Sequence, residues 1–296
     1  MLIMLILAST LITFFMGILL AVPFYGTGVL DTLVDAGESF GRENIALLKY
    51  FQIVNQLGVF FIPVFLFSFL TTGSPGGYLQ MKRYPTVFSV VAVIFLTFSI
   101  LPAIHWLSGI NESMHLPDFL NRVEEWMQRS EEKNQRLTEA FLSTKTFGGL
   151  LLNILMIGVM AAIGEELLFR SVLIRLFKNW SGNVHFAVVI SAILFSAFHL
   201  QFYGFLPRLV LGLMFGYMFV WSGSVWLPVA AHFLNNTSAV VVYYFINTEV
   251  LETSAEDFGA TDSNLLIFIS FLFSAMMLGL VYMTEKRKQQ EGTLIN

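Results

Sequence analysis

The chain has 296 residues, 56% of them hydrophobic and only 12% charged, with a net charge of −4 and a mean hydropathy of +0.73. A soluble domain carries about 25% charged residues, so the composition excludes an ordinary water-soluble globule and predicts an all-α, polytopic transmembrane helix bundle. No basic cluster suits a nucleic acid, so none is expected as a partner, and the absence of cysteine excludes disulfides, thiolate metal sites and a cysteine nucleophile.

Stretches of about 20 apolar residues predict eight spans, at 2–23, 47–71, 85–107, 147–169, 185–201, 206–222, 225–247 and 264–284. The first has no basic region ahead of it, unlike a cleavable signal peptide, and reads as a retained span. The fifth and sixth are short and interrupted. Between the third and fourth lies the one sizeable extramembrane piece, 108–146, where Pro117 is placed to start a helix and Leu116, Phe119, Leu120, Val123 and Met127 recur at helical spacing. This predicts an amphipathic helix that lies on the outer leaflet, or else a lid or substrate-recruiting element. The expected organisation is a single membrane domain: three spans with this segment over 1–146, a catalytic core over 147–247, and a last span with a basic tail over 248–296.

The connections sort by charge. Lys82 and Arg83 follow the second span, Arg170, Arg175 and Lys178 the fourth, and Lys286, Arg287 and Lys288 the eighth, whereas the others are net acidic, notably 248–263. The positive-inside rule therefore predicts both termini in the cytoplasm, in a plasma (inner) membrane.

The chemistry is expected around Ala162-Ile-Gly-Glu-Glu-Leu-Leu-Phe-Arg170. A carboxylate at bilayer depth costs roughly 2.5 kcal/mol or more, so a helix with two adjacent ones needs a reason. Glu166 and Arg170 stand four apart with the acid first, the favourable order for a helical ion pair. Glu165 lies about 100° around the helix and must find partners elsewhere. Two later spans offer them, in Phe195-Ser-Ala-Phe-His199 and His232-Phe-Leu-Asn-Asn236. Phe195 and His199 are one turn apart and His232 shares a face with Asn236. If the fourth helix runs on to about Lys178, Glu165 and His199 rise roughly 20 and 22 Å above the same corner at 1.5 Å per residue; if it stopped at Arg170, the site would need a broken helix.

A Glu and a His flanking one water can remove its proton, and a second His with an Asn amide can donate to the charge that develops on a peptide carbonyl. The same residue types could instead hold zinc and a metal-bound water. Other polar residues read as structural. His105 and His185 suit helix packing, Arg208 a snorkelling anchor, Asn55 and Asn153 interhelical hydrogen bonds. Gly158 with Ala162, and Gly212 with Gly216, form small-residue packing patterns. There is no His-Glu-x-x-His pair and no Gly-x-Gly-Asp sequence, and Trp221-Ser-Gly-Ser224 lacks a Gly-x-Ser-Gly serine site.

The segments Glu165-Glu166-xxx-Arg170, Phe195-xxx-His199 and His232-xxx-Asn236, in this order on successive spans, resemble the signature motifs of the CPBP (Abi) family, the CAAX-processing and bacteriocin-processing glutamate intramembrane proteases. The likeness covers about 147–247, with Ser171 standing where a glycine is frequent. It implies a bundle of about eight helices around a cytosol-facing cavity. In it, Glu165 and His199 would activate water and His232 and Asn236 would form the oxyanion hole, supported by Glu166, Arg170 and Phe195. No cofactor is implied, zinc being the alternative, and the substrate would be a peptide or protein, possibly membrane-associated. Two other readings stand beside it: a proton-coupled transporter with a Glu/His relay, for which inverted repeats are lacking, and an idle immunity or scaffold protein on the same fold.

Overall fold

The computed structural model describes residues 1–30, 33, 42–255 and 257–294, and the regular elements among them are all helical. Glu256 of the acidic 248–263 connection lies outside the described residues. The chain forms α1 (Leu2–Tyr25), α2 (Asn44–Thr72), α3 (Val87–Ser99), α4 (Leu101–Glu112), α5 (Asn121–Leu142), α6 (Phe147–Ser181), α7 (Val184–Phe198), α8 (Phe205–Ser222), α9 (Trp226–Asn247) and α10 (Asn264–Leu294).

Six of these, α1, α2, α6, α8, α9 and α10, are long and apolar enough to cross a membrane. The third expected span is the pair α3 and α4, bent by 48° where Pro102 enters the first turn of α4 without an amide hydrogen to continue the ladder. The fifth is α7. Its 15 residues give about 22 Å, short of a hydrocarbon core of about 30 Å, so this helix is too short to cross by itself and His199 stands at its C-terminal end.

Local chemistry sets that register. Gly182, with φ 70°, ends α6 in the left-handed conformation, which glycine adopts without a steric penalty. The next residue, Asn183, accepts from the amides of His185 and Phe186 through its side chain and so caps α7. The backbone therefore reverses within two residues. At the same end of the bundle, the buried Glu285 of α10 accepts from both the amide and hydroxyl of Thr86, fixing the start of α3.

One core cluster packs Leu167, Phe169 and Val172 of α6 against Val59 and Val64 of α2, Val188 of α7 and Phe219 of α8. A second joins Val93 and Leu96 of α3 to Met214 and Met218 of α8, Leu227 of α9 and Val281 of α10. Close approach of α7 and α8 needs glycine: a Cβ on Gly216 would lie 2.8 Å from Val188 and one on Gly212 3.1 Å from Ala192. Large apolar side chains such as Ile3, Leu7 and Leu11 on α1, and Leu265, Phe268 and Leu272 on α10, are exposed. They form the lipid-facing surface of an integral membrane protein.

Candidate active site

The helix that carries the two glutamates is not a uniform α-helix. Residues Ile154–Met160 and Leu167–Ile174 of α6 are wound as π-helix, and Ala161–Glu166 between them as α-helix. Such wide turns recur at functional sites, because the extra residue redirects side chains and carbonyls. Here the carbonyls of Met156 and Ile157 accept from the side-chain amides of Gln56 at 3.1 Å and Asn236 at 3.0 Å. Because α6 continues to Ser181, the condition for level placement of Glu165 and His199 is met.

Glu165 points into a cavity of about 470 Å³ that also exposes His199, His232, Asn235 and Asn236. Its Oε2 stands 4.0 Å from Nε2 of His199 and 4.0 Å from Nε2 of His232, and among the described residues this buried oxygen has no hydrogen-bond partner. A gap of that size is too long for direct hydrogen bonding.

The two histidines are oriented by acceptors. Nδ1 of His199 lies 2.9 Å from the Phe195 carbonyl, which can only accept, so Nδ1 carries the proton and Nε2 faces Glu165. Nδ1 of His232 lies 2.8 Å from Oε1 of Glu166, again an acceptor, so Nδ1 donates and Nε2 faces the cavity. The same Glu166 oxygen accepts from Arg170 at 2.8 Å. The expected ion pair is therefore present, completely buried at 0% and 1% exposure, and extends to a third residue that the i, i+4 spacing did not reveal.

Aromatic rings fill in around this triad. The Arg170 guanidinium lies 4.4 Å over the Phe195 ring and also donates to the Gly212 carbonyl. Phe195 meets His199 and His232 edge-on at 5.2 and 5.7 Å, and Phe215 stacks on His232 at 5.3 Å. Phe195 thus touches Arg170 as well as both histidines.

Asn236 has one amide N–H on Ile157 and its oxygen accepts from Asn235 at 3.3 Å, so its second N–H can serve the cavity. Among the described residues no cluster of three or more His, Cys, Asp or Glu side chains has the arrangement of a metal site.

Several lining residues lacked a motif to announce them. Beyond His199 the chain runs as a strap to Gly204, starting with Leu200 at φ 52°. The strap is clamped from two sides: Asn111 of α4 bonds the Phe202 carbonyl and the Leu206 amide. From α5, Ser130 donates to the Leu200 carbonyl and Glu131 accepts from the Gln201 amide and the Tyr203 backbone N–H. Arg208, expected as a snorkelling anchor, instead turns inward, lines the cavity and donates twice to Gln201. Gly204 leaves room for it, since a Cβ there would come within 2.7 Å of the guanidinium.

The amphipathic segment forms a helix, as expected. A short 3₁₀ turn at Asp118–Leu120 precedes α5, Phe119 and Val123 are exposed, and the buried end is Phe141 and Leu142. Asn134, Leu137 and Thr138 roof the cavity. His185 bonds the Tyr217 hydroxyl and Asn153 joins Lys49 to the Phe141 carbonyl, both as helix-packing groups. His105 and Asn55 are exposed.

No curated protein and no solved structure matches the chain. Residues 147–238 match the family model described as Type II CAAX prenyl endopeptidase Rce1-like, a stretch that contains Glu165, Glu166, Arg170, Phe195, His199, His232 and Asn236. The likeness drawn from the three motifs therefore holds: the stretch that bears all seven residues is similar to the core of a CAAX prenyl endopeptidase.

Proposed function

We propose that the protein is an intramembrane endopeptidase that hydrolyses a peptide bond with a water activated by Glu165 and His199. The observation that carries this reading is the position of Glu165 Oε2, unpartnered and 4.0 Å from two imidazole nitrogens inside a cavity, while its neighbour Glu166 holds Arg170 and His232 through Oε1. Water held between Glu165 and His199 gives its proton to the carboxylate as its oxygen attacks the carbonyl carbon. The carbonyl oxygen becomes an oxyanion and receives hydrogen bonds from Asn236 Nδ2 and His232 Nε2. For His232 to donate at Nε2 while Nδ1–H serves Glu166, the ring must be an imidazolium. The charges of Glu165, Glu166, Arg170 and His232 then cancel. Collapse of the intermediate breaks the C–N bond, and the proton taken from water passes to the leaving amine.

The experiment is a comparison of membrane-associated peptides from cells carrying the wild type and Glu165→Gln. A precursor that accumulates only with the variant names the substrate; identical peptide profiles overturn the reading. The mechanism uses no metal, and activity should survive a strong chelator. Activity lost on zinc removal and restored by zinc would transfer the role of base to a metal-bound water.

The direction of access follows from charge. Lys82, Arg83, Arg175, Lys178, Lys286, Arg287 and Lys288 belong to the end of the bundle away from α5. With that end in the cytoplasm, the cavity mouth faces the opposite side, contrary to the cytosol-facing cavity that the family resemblance implies. Since the chain lacks cysteine, Lys133→Cys on α5 and Lys286→Cys on α10 report directly. An impermeant maleimide should label the first in intact cells and the second only after permeabilisation, and the reverse pattern would reverse the orientation.

A further inference from the structure

A second cavity, of about 350 Å³, lies at the end of the bundle opposite the catalytic mouth, where α6 turns into α7 beside the end of α8. Its wall is polar and cationic: Arg175, Lys178 and Asn179 from α6, with Gln80 and Gly223 across from them. Among the described residues neither Arg175 nor Lys178 takes part in an ion pair, in contrast to Arg170 five residues before Arg175. The Arg175 guanidinium is held 4.3 Å over the Tyr78 ring. Burial pushes the Tyr78 phenol up, and the nearby Arg175 charge acts against that, so the ring remains a neutral platform for the cation.

A third cation stands at the rim. Gly223 has φ +60°, and a Cβ there would lie 3.0 Å from a guanidinium nitrogen of Arg83. The acidic Glu285 at this end is spent on Thr86. The depth is that of a membrane interface, for Trp180 is 78% exposed and Trp221 packs with Tyr217 and Tyr282, as aromatic side chains do at headgroup level. Ile174 and Phe219 make the cavity floor apolar.

We propose that this cavity binds a phosphate group, carried either by an anionic phospholipid of the adjoining leaflet or by a soluble phosphate compound. Cationic pockets between helices at the membrane surface take phospholipid headgroups for this reason. Two unpaired cations on one helix, with Arg83 close to Gly223 at the edge, supply charge-assisted hydrogen bonds to the phosphate oxygens. Such a ligand ties the end of α6 to the α8–α9 turn immediately beyond the π-wound stretch that follows Glu166.

The test uses the purified full-length protein in neutral detergent. Thermal unfolding is measured with added phosphatidylglycerol, phosphatidylcholine or inorganic phosphate, and bound lipid is counted by native mass spectrometry. Binding to the folded state alone raises Tm with ligand concentration. Phosphatidylglycerol should be retained at one molecule per chain and raise Tm by several degrees where phosphatidylcholine does not, and the gain should vanish in Arg175→Gln/Lys178→Gln. An equal gain from inorganic phosphate, also lost in that variant, would support the site and identify its source as soluble. Should the double variant fail to accumulate, Lys178→Gln, at an exposed position, carries the test with a partial loss. The same gain in wild type and variant, or none from either phosphate source, overturns the proposal.

Discussion

The two ends of the bundle are built on opposite plans, and α6 runs through both. Toward the basic end, helices reverse within two or three residues, at Gly182–Asn183 and Gly223–Val225, and Leu167, Phe169 and Val172 seal the interior. Toward the other end, α7 stops early, a strap continues from His199, and α5 roofs a cavity in place of a packed core. The adjacent glutamates fall on the boundary. Glu166 faces the sealed half, where Arg170 and His232 consume one of its oxygens, whereas Glu165 faces the open half. One residue of helical rotation thus separates a carboxylate bound by Arg170 and His232 from one that opens onto the cavity.

The strongest way to break this comparison is to neutralise each half in turn. Glu165→Gln and His199→Ala should each abolish peptide hydrolysis in purified, monodisperse protein, with normal membrane insertion. Asn236→Ala should lower kcat by roughly 10² to 10³, the usual cost of one oxyanion donor. Asn235→Ala should cost less, since Asn235 lies one residue off the face that His232 shares with Asn236 and its amide is spent on the Asn236 oxygen. Full turnover in Glu165→Gln, or a larger loss in the Asn235 variant, would contradict these assignments.

The sealed half should respond in stability. Removing one partner of a buried pair leaves the other charge uncompensated, at a cost of about 3–5 kcal/mol, so Arg170→Ala should lower both the unfolding temperature and expression, unlike Glu165→Gln. The double variant Glu166→Gln/Arg170→Met should recover part of that stability. It should not recover activity, because His232 loses the carboxylate that holds its ring. A double variant as active as wild type would show that the bond from His232 to Glu166 has no part in turnover.

Much of this was legible before the structure, for reasons that can be traced to single residues. Glu166 and Arg170 announced their pairing by spacing alone, since i, i+4 neighbours share a helix face. The eight apolar stretches located the helices because hydropathy depends only on local composition. The bent α3–α4 pair and the early stop of α7 were blurred for the same reason: an apolar residue scores alike in a helix, a kink or a strap. The third partner of Glu166, His232, lies 66 residues away, and no local period encodes a contact at that separation. Nor does any period encode the π-wound turns of α6 that leave carbonyls for Gln56 and Asn236. Arg208 was misread because a cation near the end of an apolar stretch resembles an interfacial anchor, and only the strap's return shows that the end points inward.

The smallest expected effect tests whether the roof takes part in building the open half. Both carboxylate oxygens of Glu131 are used, one on Gln201 and one on the backbone of Tyr203, and the adjacent Ser130 holds Leu200, the residue that follows His199. Glu131 touches no reacting atom; it positions the strap from which His199 emerges. Hydrogen bonds to a charged group contribute about 1.5–3 kcal/mol when well formed, and a tenfold change in rate needs only about 1.4 kcal/mol. Glu131→Ala should therefore lower kcat about tenfold with little change in unfolding temperature, because α5 remains anchored by Phe141 and Leu142. Glu131→Gln keeps one acceptor oxygen and should retain most of the rate. Equal loss of rate and stability in Glu131→Ala, with no rescue by glutamine, would mean that α5 is only a wall and that His199 is set by α7 and Asn111 alone.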